Sequence, residues 1–397
     1  MKNSILENGW IANAVRRAVV PFGALVLAAT VTPAIAGVTV HDGKSYITLD
    51  YYVQTWFQNR GYTSSTDPAA LNNFFLRRNR IVLSGQYNQT VGFFVDTEAP
   101  IDGEQGYNNR SMFYEDAYVT IDANDTYQFI VGKFKIPFTR EDLEDCFGPL
   151  TMDRAEVLAY TPFVPSRDTG LAMWGNVHNA MFQYRVMVSN GRQGVGVPRS
   201  EPMVTGRVTA SLLDPEYGYG YEGTYLGTMK VLTIGAAYEY QPDVVWGDYL
   251  AQTNPKNYKA WTTDIFFEYP FRTGTYTASA AYMKYNTGNA INNAFPDPNL
   301  PMTSQLDGYY AKGGYMFPMK IGIGRLQFFL RHEDSKYNLM SGYGDQHWNS
   351  VGFNYYINGQ QLKISGEYAR ITFNKQDPLD WSLQNYNQTT IGLQLLF

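Results

Sequence analysis

Apolar and polar residues alternate one by one along much of the chain, and this pattern limits the possible folds more than any other feature. In residues 47–57, Ile47, Leu49 and Tyr51 fall on one face of an extended strand, and Asp50 and Gln54 fall on the other. Successive side chains of a strand point to opposite faces, so such a segment has one apolar and one polar face. Sixteen segments of this kind begin near residues 45, 73, 90, 112, 126, 169, 179, 203, 229, 259, 273, 307, 322, 347, 360 and 386.

The connections between these segments alternate between long and short. The long ones are 59–72, 99–111, 136–168, 241–258, 286–306, 336–346 and 374–385, and turns such as "PFRTG", "PMKIG" and "NGQ" separate them. One connection breaks the rule, because "DPEYGYGYEGTYLG" at 214–227 stands where a short turn is expected. An even set of alternating strands with long loops at one end is typical of an outer-membrane barrel.

A closed barrel gives every backbone amide in lipid an internal hydrogen-bond partner. The alternative is a soluble β-sandwich or propeller. It does not explain why the apolar faces end in aromatic residues such as Trp56, Phe57, Tyr87 and Phe397, which the aromatic girdles of a membrane barrel do explain. We therefore predict an all-β fold, a transmembrane antiparallel barrel of about 16 strands in the outer membrane of a Gram-negative bacterium.

The first 36 residues have the features of a secretory signal peptide. Arg16 and Arg17 precede a short apolar run, and "AIA" precedes Gly37. The run is short for a membrane anchor, so we expect a signal peptide at 1–36 and a mature barrel at 37–397. Cys146 is the single cysteine, which excludes an internal disulfide, and the formal net charge of −5 argues against a nucleic-acid partner.

The segment "GKFKIPFTREDLEDCFG" at 132–148 joins a basic stretch to an acidic one. Lys133 and Lys135 are expected on one face of a strand, pointing together into the lumen. Pro137 should end that strand, since proline cannot donate to the ladder. The loop 137–168 is too long for a simple surface connection and contains apolar residues. A barrel of ~16 strands encloses an aqueous channel, so we expect this third outer loop to fold into the lumen and narrow it.

Several stretches resemble the phosphate-selective porin (porin O and P) family. They are "FFLRRNRIVLSGQYNQTVGFFVDTE", "EDAYVTI", "GKFKIPFTREDL", "MDRAEVLAYTPFVPSRDTGLAMWG" and "YRVMVSNGRQG". The terminal Phe397 also resembles the assembly signal of outer-membrane barrels. The resemblance implies sixteen strands, a homotrimer, a constriction made by the third loop, and a wall of arginines and lysines that passes anions.

Carried onto this sequence, the resemblance gives two sets of candidate residues. The anion pathway along the wall would consist of Arg78, Arg80, Lys133, Lys135, Arg185, Arg207, Arg325 and Arg331. The constriction loop would contribute Arg140, Glu141, Asp142, Glu144, Asp145, Arg154, Arg167 and Asp168. The planar guanidinium suits the task because it grips two oxyanion oxygens at once. Each cation could equally form an ion pair with a carboxylate of the lumen or be a long side chain that snorkels to the membrane interface.

The acidity of the loop leaves selectivity open. Residues 137–168 hold seven carboxylates, including Asp153 and Glu156, against three arginines. Carboxylate rings select cations and basic rings select anions. The resemblance to the family implies small oxyanions such as phosphate, selenite or sulfate, among other small hydrophilic solutes, as the cargo. The acidic loop leaves a general-diffusion or cation-preferring pore as the alternative.

Other functions have less support in the sequence. A barrel that sheathes or docks a partner, such as a multihaem cytochrome or a surface lipoprotein, is suggested by the acidic, aromatic third loop and the long loop 286–306. No C-x-x-C-H, H-E-x-x-H or G-x-S-x-G motif is present, so no enzyme activity, metal or cofactor is predicted. Four carboxylates stand close to Cys146, so we expect a buried, inert thiol whose pKa is not depressed.

Overall fold

The structure is a computed structural model that describes residues 37–62, 71–99, 111–155, 166–377 and 383–397. The expected signal peptide lies outside the described residues, as does part of the 137–168 loop, including Glu156. The strands are β1 Val38–Asp42, β2 Ser45–Tyr62, β3 Leu71–Gln86, β4 Val91–Glu98, β5 Phe113–Asn124, β6 Tyr127–Lys135, β7 Arg167–Val177, β8 Phe182–Ser189, β9 Met203–Ser211, β10 Val231–Asp248, β11 Thr253–Phe271, β12 Gly274–Asn286, β13 Asp307–Met316, β14 Arg325–Lys336, β15 Gln346–Asn358, β16 Leu362–Phe373 and β17 Tyr386–Leu396. Within these residues one short helix, α1, spans Arg140–Leu143, and two 3-10 turns span Ala290–Asn292 and Met302–Ser304.

Strands β2 to β17 form a closed antiparallel barrel in which each strand pairs with the next along the chain. Closure is made by β17 and β2, whose register runs from Tyr386 opposite Tyr62 to Leu396 opposite Tyr52. The predicted all-β barrel of sixteen strands is confirmed. Because the sheet has no free edge, its backbone amides are paired around the whole ring.

The additional strand β1 was not predicted. It forms a hairpin with the start of β2, with Val38 opposite Leu49 and Asp42 opposite Ser45. Phe397 exchanges two backbone hydrogen bonds with Tyr51, at 2.6 and 2.9 Å, next to the end of this hairpin. β17 thus pairs with the later part of β2, and β1 pairs with the first residues of β2 on the same side.

The two faces of the barrel differ as the alternation predicts. On β17, Ile391 and Leu393 are half exposed on the outside, whereas Thr390 and Gln394 are buried on the inside. The lipid-facing surface is thus apolar, and polar side chains line the interior. Among the described residues, no helix is long and apolar enough to cross a membrane.

The predicted long loop at 241–258 is wrong. β10 and β11 stay paired from Gln241 opposite Tyr258 to Asp248 opposite Thr253, with a bulge between Gln241 and Val245. Pro242 falls in this bulge, where a missing amide donor does not break the ladder.

Candidate functional site

The segment 137–155 follows β6 and is tied to strands on the far side of the ring. Thr139 caps α1, its hydroxyl accepting a hydrogen bond from the amide of Asp142 at 3.0 Å. Further on, Lys363 Nζ of β16 and Gln394 Nε2 of β17 donate to the carbonyl of Phe147 at 2.9 and 3.0 Å. These contacts attach the segment to lumen-facing side chains of strands distant in sequence.

The acidic residues of this segment meet basic residues of the wall. Lys312 on β13 forms a buried ion pair with Glu141. Asp153 accepts from Arg77 at 2.6 Å and from Arg78 at 2.8 Å, both on β3. Much of the negative charge of the loop is therefore compensated by cations that the sequence places far away.

Arg140 forms a buried centre of its own. Its guanidinium donates to both oxygens of Glu216, at 2.7 and 2.9 Å, and to Glu144 at 3.2 Å. The ring centroid of Phe266 lies 3.8 Å from the guanidinium carbon. Because the Arg140 guanidinium is removed from water, its charge is stabilised by protein groups instead, here the bidentate carboxylate and the aromatic face.

Glu216 belongs to the connection at 214–227, the one that broke the alternation of long and short. This segment folds back against residues 137–155. The amide of Tyr221 donates to the carbonyl of Leu143 at 3.1 Å, and that of Asp145 donates to the carbonyl of Tyr221 at 2.8 Å. In the sequence, this connection stood out only because it is long at the end of the barrel where short turns are expected. Nothing in the sequence indicated which residues it would contact.

Arg185 and Arg207 are fully buried on β8 and β9, near the ring of Tyr221. Arg185 donates to the carbonyls of Tyr219 and Gly218, at 3.0 and 2.9 Å. Arg207 instead forms a bidentate pair with Asp264 of β11 at 2.7 and 2.8 Å.

Seven of the eight candidate wall cations divide into two groups. The first group forms ion pairs with carboxylates, and it consists of Arg78, Arg80, Arg207 and Arg331. The second group donates hydrogen bonds to neutral oxygens. Within the described residues, no carboxylate lies within ion-pair distance of these cations. Lys135 bonds the carbonyl of Glu144 at 2.6 Å, Arg325 that of Leu226 at 3.1 Å, and Arg185 the two carbonyls above. Lys363 has the same character but was not among the predicted residues.

The prediction that Lys133 and Lys135 both face the lumen is wrong for Lys133. It lies on the same face as Val131, which is 46% exposed on the outside. Its ammonium donates to the carbonyl of Tyr114 at 2.8 Å and lies 5.6 Å from the ring centroid of Phe113, itself exposed. Lys135 is the last residue of β6, so its side chain is free of the strand's alternation and turns inward.

The remaining loop residues are also held in place. Arg167 pairs with Glu115 at 2.8 Å and Asp116 at 3.1 Å. Asp168 accepts from the amide of Gly191 at 2.6 Å. Arg154 donates to the sulfur of Cys146 at 3.0 Å.

The expectation for the Cys146 thiol is half right. The thiol is buried, with 3% exposed, as predicted. Burial alone would raise its pKa, but the nearby charges of Arg154, Arg167, Lys135 and Arg80 outweigh burial and hold the pKa well below its usual value. The adjacent carboxylates do not prevent this, because Asp145 accepts from the amide of Phe147 and Glu144 pairs with Arg140.

Three carboxyl groups of the two segments are harder to ionise than usual. Burial, followed by the charge of Glu141, raises the pKa of Glu144 to about 7. Burial, followed by the charges of Asp145 and Glu144, raises the pKa of Glu222 to about 8. Burial also raises the pKa of Asp142. Glu144 and Glu222 therefore carry less negative charge at neutral pH than composition suggests.

Comparison with known proteins gives the family. The family model described as phosphate-selective porin O and P matches residues 49–397, nearly the whole described barrel. The chain belongs to this family. It is a porin of the Gram-negative outer membrane, a channel for small solutes rather than an enzyme.

Solved structures show the same fold at low identity. An anion-selective porin from Comamonas acidovorans has a TM-score of 0.55 and 11% identity, covering 89% of this chain and 100% of that one. OmpF of Salmonella typhi, in complex with daunomycin, has a TM-score of 0.57 and 12% identity, covering 91% of this chain and 100% of that one. The outer-membrane channel DcaP of Acinetobacter baumannii has a TM-score of 0.55 and 13% identity, covering 91% of this chain and 100% of that one. No curated protein matches the sequence.

Proposed function

We propose that this porin is a passive channel that prefers small oxyanions such as phosphate, selenite or an ion of similar shape. The observation that carries the proposal is a group of lumen cations bonded only to neutral oxygens within the described residues: Lys135, Arg185, Arg325 and Lys363. A cation that is not neutralised by a carboxylate keeps its attraction for a passing anion. Several weak sites in succession let an ion enter and also leave.

The compensation of the acidic loop supports the same conclusion. Glu141 and Asp153 are paired with wall cations, and the raised pKa of Glu144 reduces its charge at neutral pH. The formal negative charge of residues 137–168 therefore overstates the field that a solute meets. The name of the family and the similarity in fold to an anion-selective porin agree with an anion-passing wall.

In this account the loop 137–168 forms the constriction, and its described part, 137–155, is held across the channel by contacts with Lys312, Asn354 and Lys363. On the features of residues 1–36 the chain is exported by a signal peptide. It assembles as a homotrimer, as its resemblance to the family implies.

The alternatives are less favoured. A lumen reserved for a cytochrome or lipoprotein partner would need space that the segments 137–155 and 214–227 already use. A cation-preferring pore would need carboxylates that are ionised and free, whereas Glu141, Glu216 and Asp264 are bound to cations.

Oxyanion block of the chloride current tests the proposal. Purified protein in planar bilayers would be titrated with inorganic phosphate and, separately, with selenite. We expect a saturable block that Lys363→Gln and Arg325→Gln weaken. Lys133→Gln is the matched control, because it removes the same charge from the outer face and should leave the block unchanged. A current that neither ion affects at any concentration would contradict the oxyanion preference.

A further inference from the structure

The connection 214–227 differs from its neighbours at the same end of the barrel. It joins β9 to β10, and other connections at that end are as short as 125–126, 178–181 and 272–273. This one instead runs into the barrel and meets residues 137–155. A turn that only had to connect two adjacent strands would need none of these contacts.

The segment offers oxygen atoms to three arginines. Its Glu216 carboxylate binds Arg140 at 2.7 and 2.9 Å. Its carbonyls at Gly218 and Tyr219 bind Arg185 at 2.9 and 3.0 Å, and its carbonyl at Leu226 binds Arg325 at 3.1 Å.

These oxygens take the place that a solute oxyanion would take. A guanidinium binds phosphate-like ions through parallel N–H donors to two oxygens, the arrangement that Glu216 presents to Arg140. At Arg185, two backbone carbonyls accept hydrogen bonds from the guanidinium in the same way, but they carry no formal negative charge. The segment thus uses donors that would otherwise face the channel.

The attachment of the segment is firm. Glu268 of β11 accepts three of its hydrogen bonds, from Thr224 Oγ1 at 2.8 Å and from the amides of Tyr225 and Gly227 at 3.1 and 2.8 Å. Gly223 lies so close to Pro149 and Leu150 that an added Cβ would approach backbone atoms to 2.8 Å. The segment is therefore a fixed part of the channel wall.

We propose that the segment 214–227 is a second constriction element, which restrains the anion affinity of the pore by neutralising Arg140 through Glu216 and by using part of the hydrogen-bond donors of Arg185 and Arg325, which keep their charge. This inference rests on the proposed anion-passing function and adds a determinant of its strength. A cavity of about 540 Å³ lies beside the segment and is lined by residues that include Phe94, Tyr118, Phe134 and Tyr219. Removing the segment would merge this space with the channel.

A deletion tests the size of the effect. Residues 214–227 would be replaced by a two-residue Asn-Gly turn. Correct folding would be checked by the slower migration of the denatured barrel in gels and by circular dichroism. We expect the single-channel conductance to rise about twofold or more and the reversal potential to shift toward anions, since both cross-section and free cations increase. A folded deletion variant with unchanged conductance and reversal potential would overturn the inference.

A point variant covers the case in which the deletion does not fold. Glu216→Gln removes the carboxylate from Arg140 and should shift the reversal potential toward anions. Asp214→Asn makes the same charge change on an exposed residue of the segment and should shift it much less. Equal shifts in the two variants would contradict the inference.

The two proposals fail in different ways. If the wild-type pore has no anion preference but the Glu216 or deletion variant gains one, the proposed function fails and the role of the segment stands. If the wild type prefers anions and neither variant changes that preference, the segment has no such role and the proposed function stands.

Discussion

The guanidinium of Arg140 and the carboxylate of Glu216, 76 residues apart in the chain, form a bidentate pair with distances of 2.7 and 2.9 Å. Both side chains are almost fully buried inside the barrel. The pair joins α1 to the 214–227 segment, so two connections from opposite ends of the barrel share one electrostatic contact. The lumen of this porin is thus organised by charge pairs between its own connections and its wall.

The pair of Arg207 and Asp264 should contribute to barrel stability only as a unit. Asp264→Ala leaves a buried guanidinium without its partner, and we expect a loss of about 3–5 kcal/mol in the free energy of unfolding. Replacing both residues with leucine should cost much less, because no charge is then left unpaired. Urea unfolding of the barrel in lipid vesicles measures both. Equal losses in the single and double variants would show that the charge is not the cause.

The pair of Lys312 and Glu141 should hold the 137–155 segment still. Lys312→Met leaves a buried carboxylate uncompensated, so we expect a less firmly attached segment and larger fluctuations of the open-channel current. Exchanging the two residues, Lys312→Glu with Glu141→Lys, restores opposite charges and should reduce the fluctuations again. Single-channel recording in planar bilayers provides the measurement. A Lys312→Met channel as quiet as the wild type would mean that the ion pair does not restrain the segment.

Anion preference should fall as the pH rises through about 7 to 8. Burial raises the pKa of Glu144 to about 7 and that of Glu222 to about 8, so both groups are neutral below this range and negative above it. Each added negative charge disfavours anions in the pore. Glu222→Gln should weaken the pH dependence of the reversal potential. The exposed Glu201→Gln is the control and should leave it intact. A pH dependence that is the same in all three proteins would exclude Glu222 as its source.

Cys146 should be a thiolate at neutral pH. The surrounding arginines and Lys135 hold its pKa well below the usual value, so the thiolate absorbance in the ultraviolet should appear at a clearly lower pH than in an ordinary cysteine. Cys146→Ser supplies the baseline for the difference spectrum. A thiolate signal that appears only above about pH 8.5, as in a free cysteine, would contradict the assignment.

The barrel could be predicted from the sequence because its signal is local. In a strand such as β17, alternation and turn spacing mark the element without knowledge of any partner. The error at 241–258 arose because Pro242 and Pro255 resemble loop residues, whereas a bulge and extended strand pairing accommodate them.

The site could be predicted only as a set of residue types. Whether Arg185 or Arg207 carries a carboxylate partner depends on residues 218–219 and on Asp264, which lie far away in the chain. The pKa of Cys146 was misjudged for the same reason, since its neighbours in sequence were acidic and its neighbours in space are basic. The role of 214–227 depends on contacts with another connection, which no local pattern encodes.

The reversal potential of the wild-type porin in a potassium chloride gradient tests the central claim most directly. If lumen cations without carboxylate partners govern permeation, the potential will have the sign of a chloride-preferring channel near neutral pH, and Lys363→Gln will move it toward zero. A potential of zero, or one with the sign of potassium preference, would contradict the account.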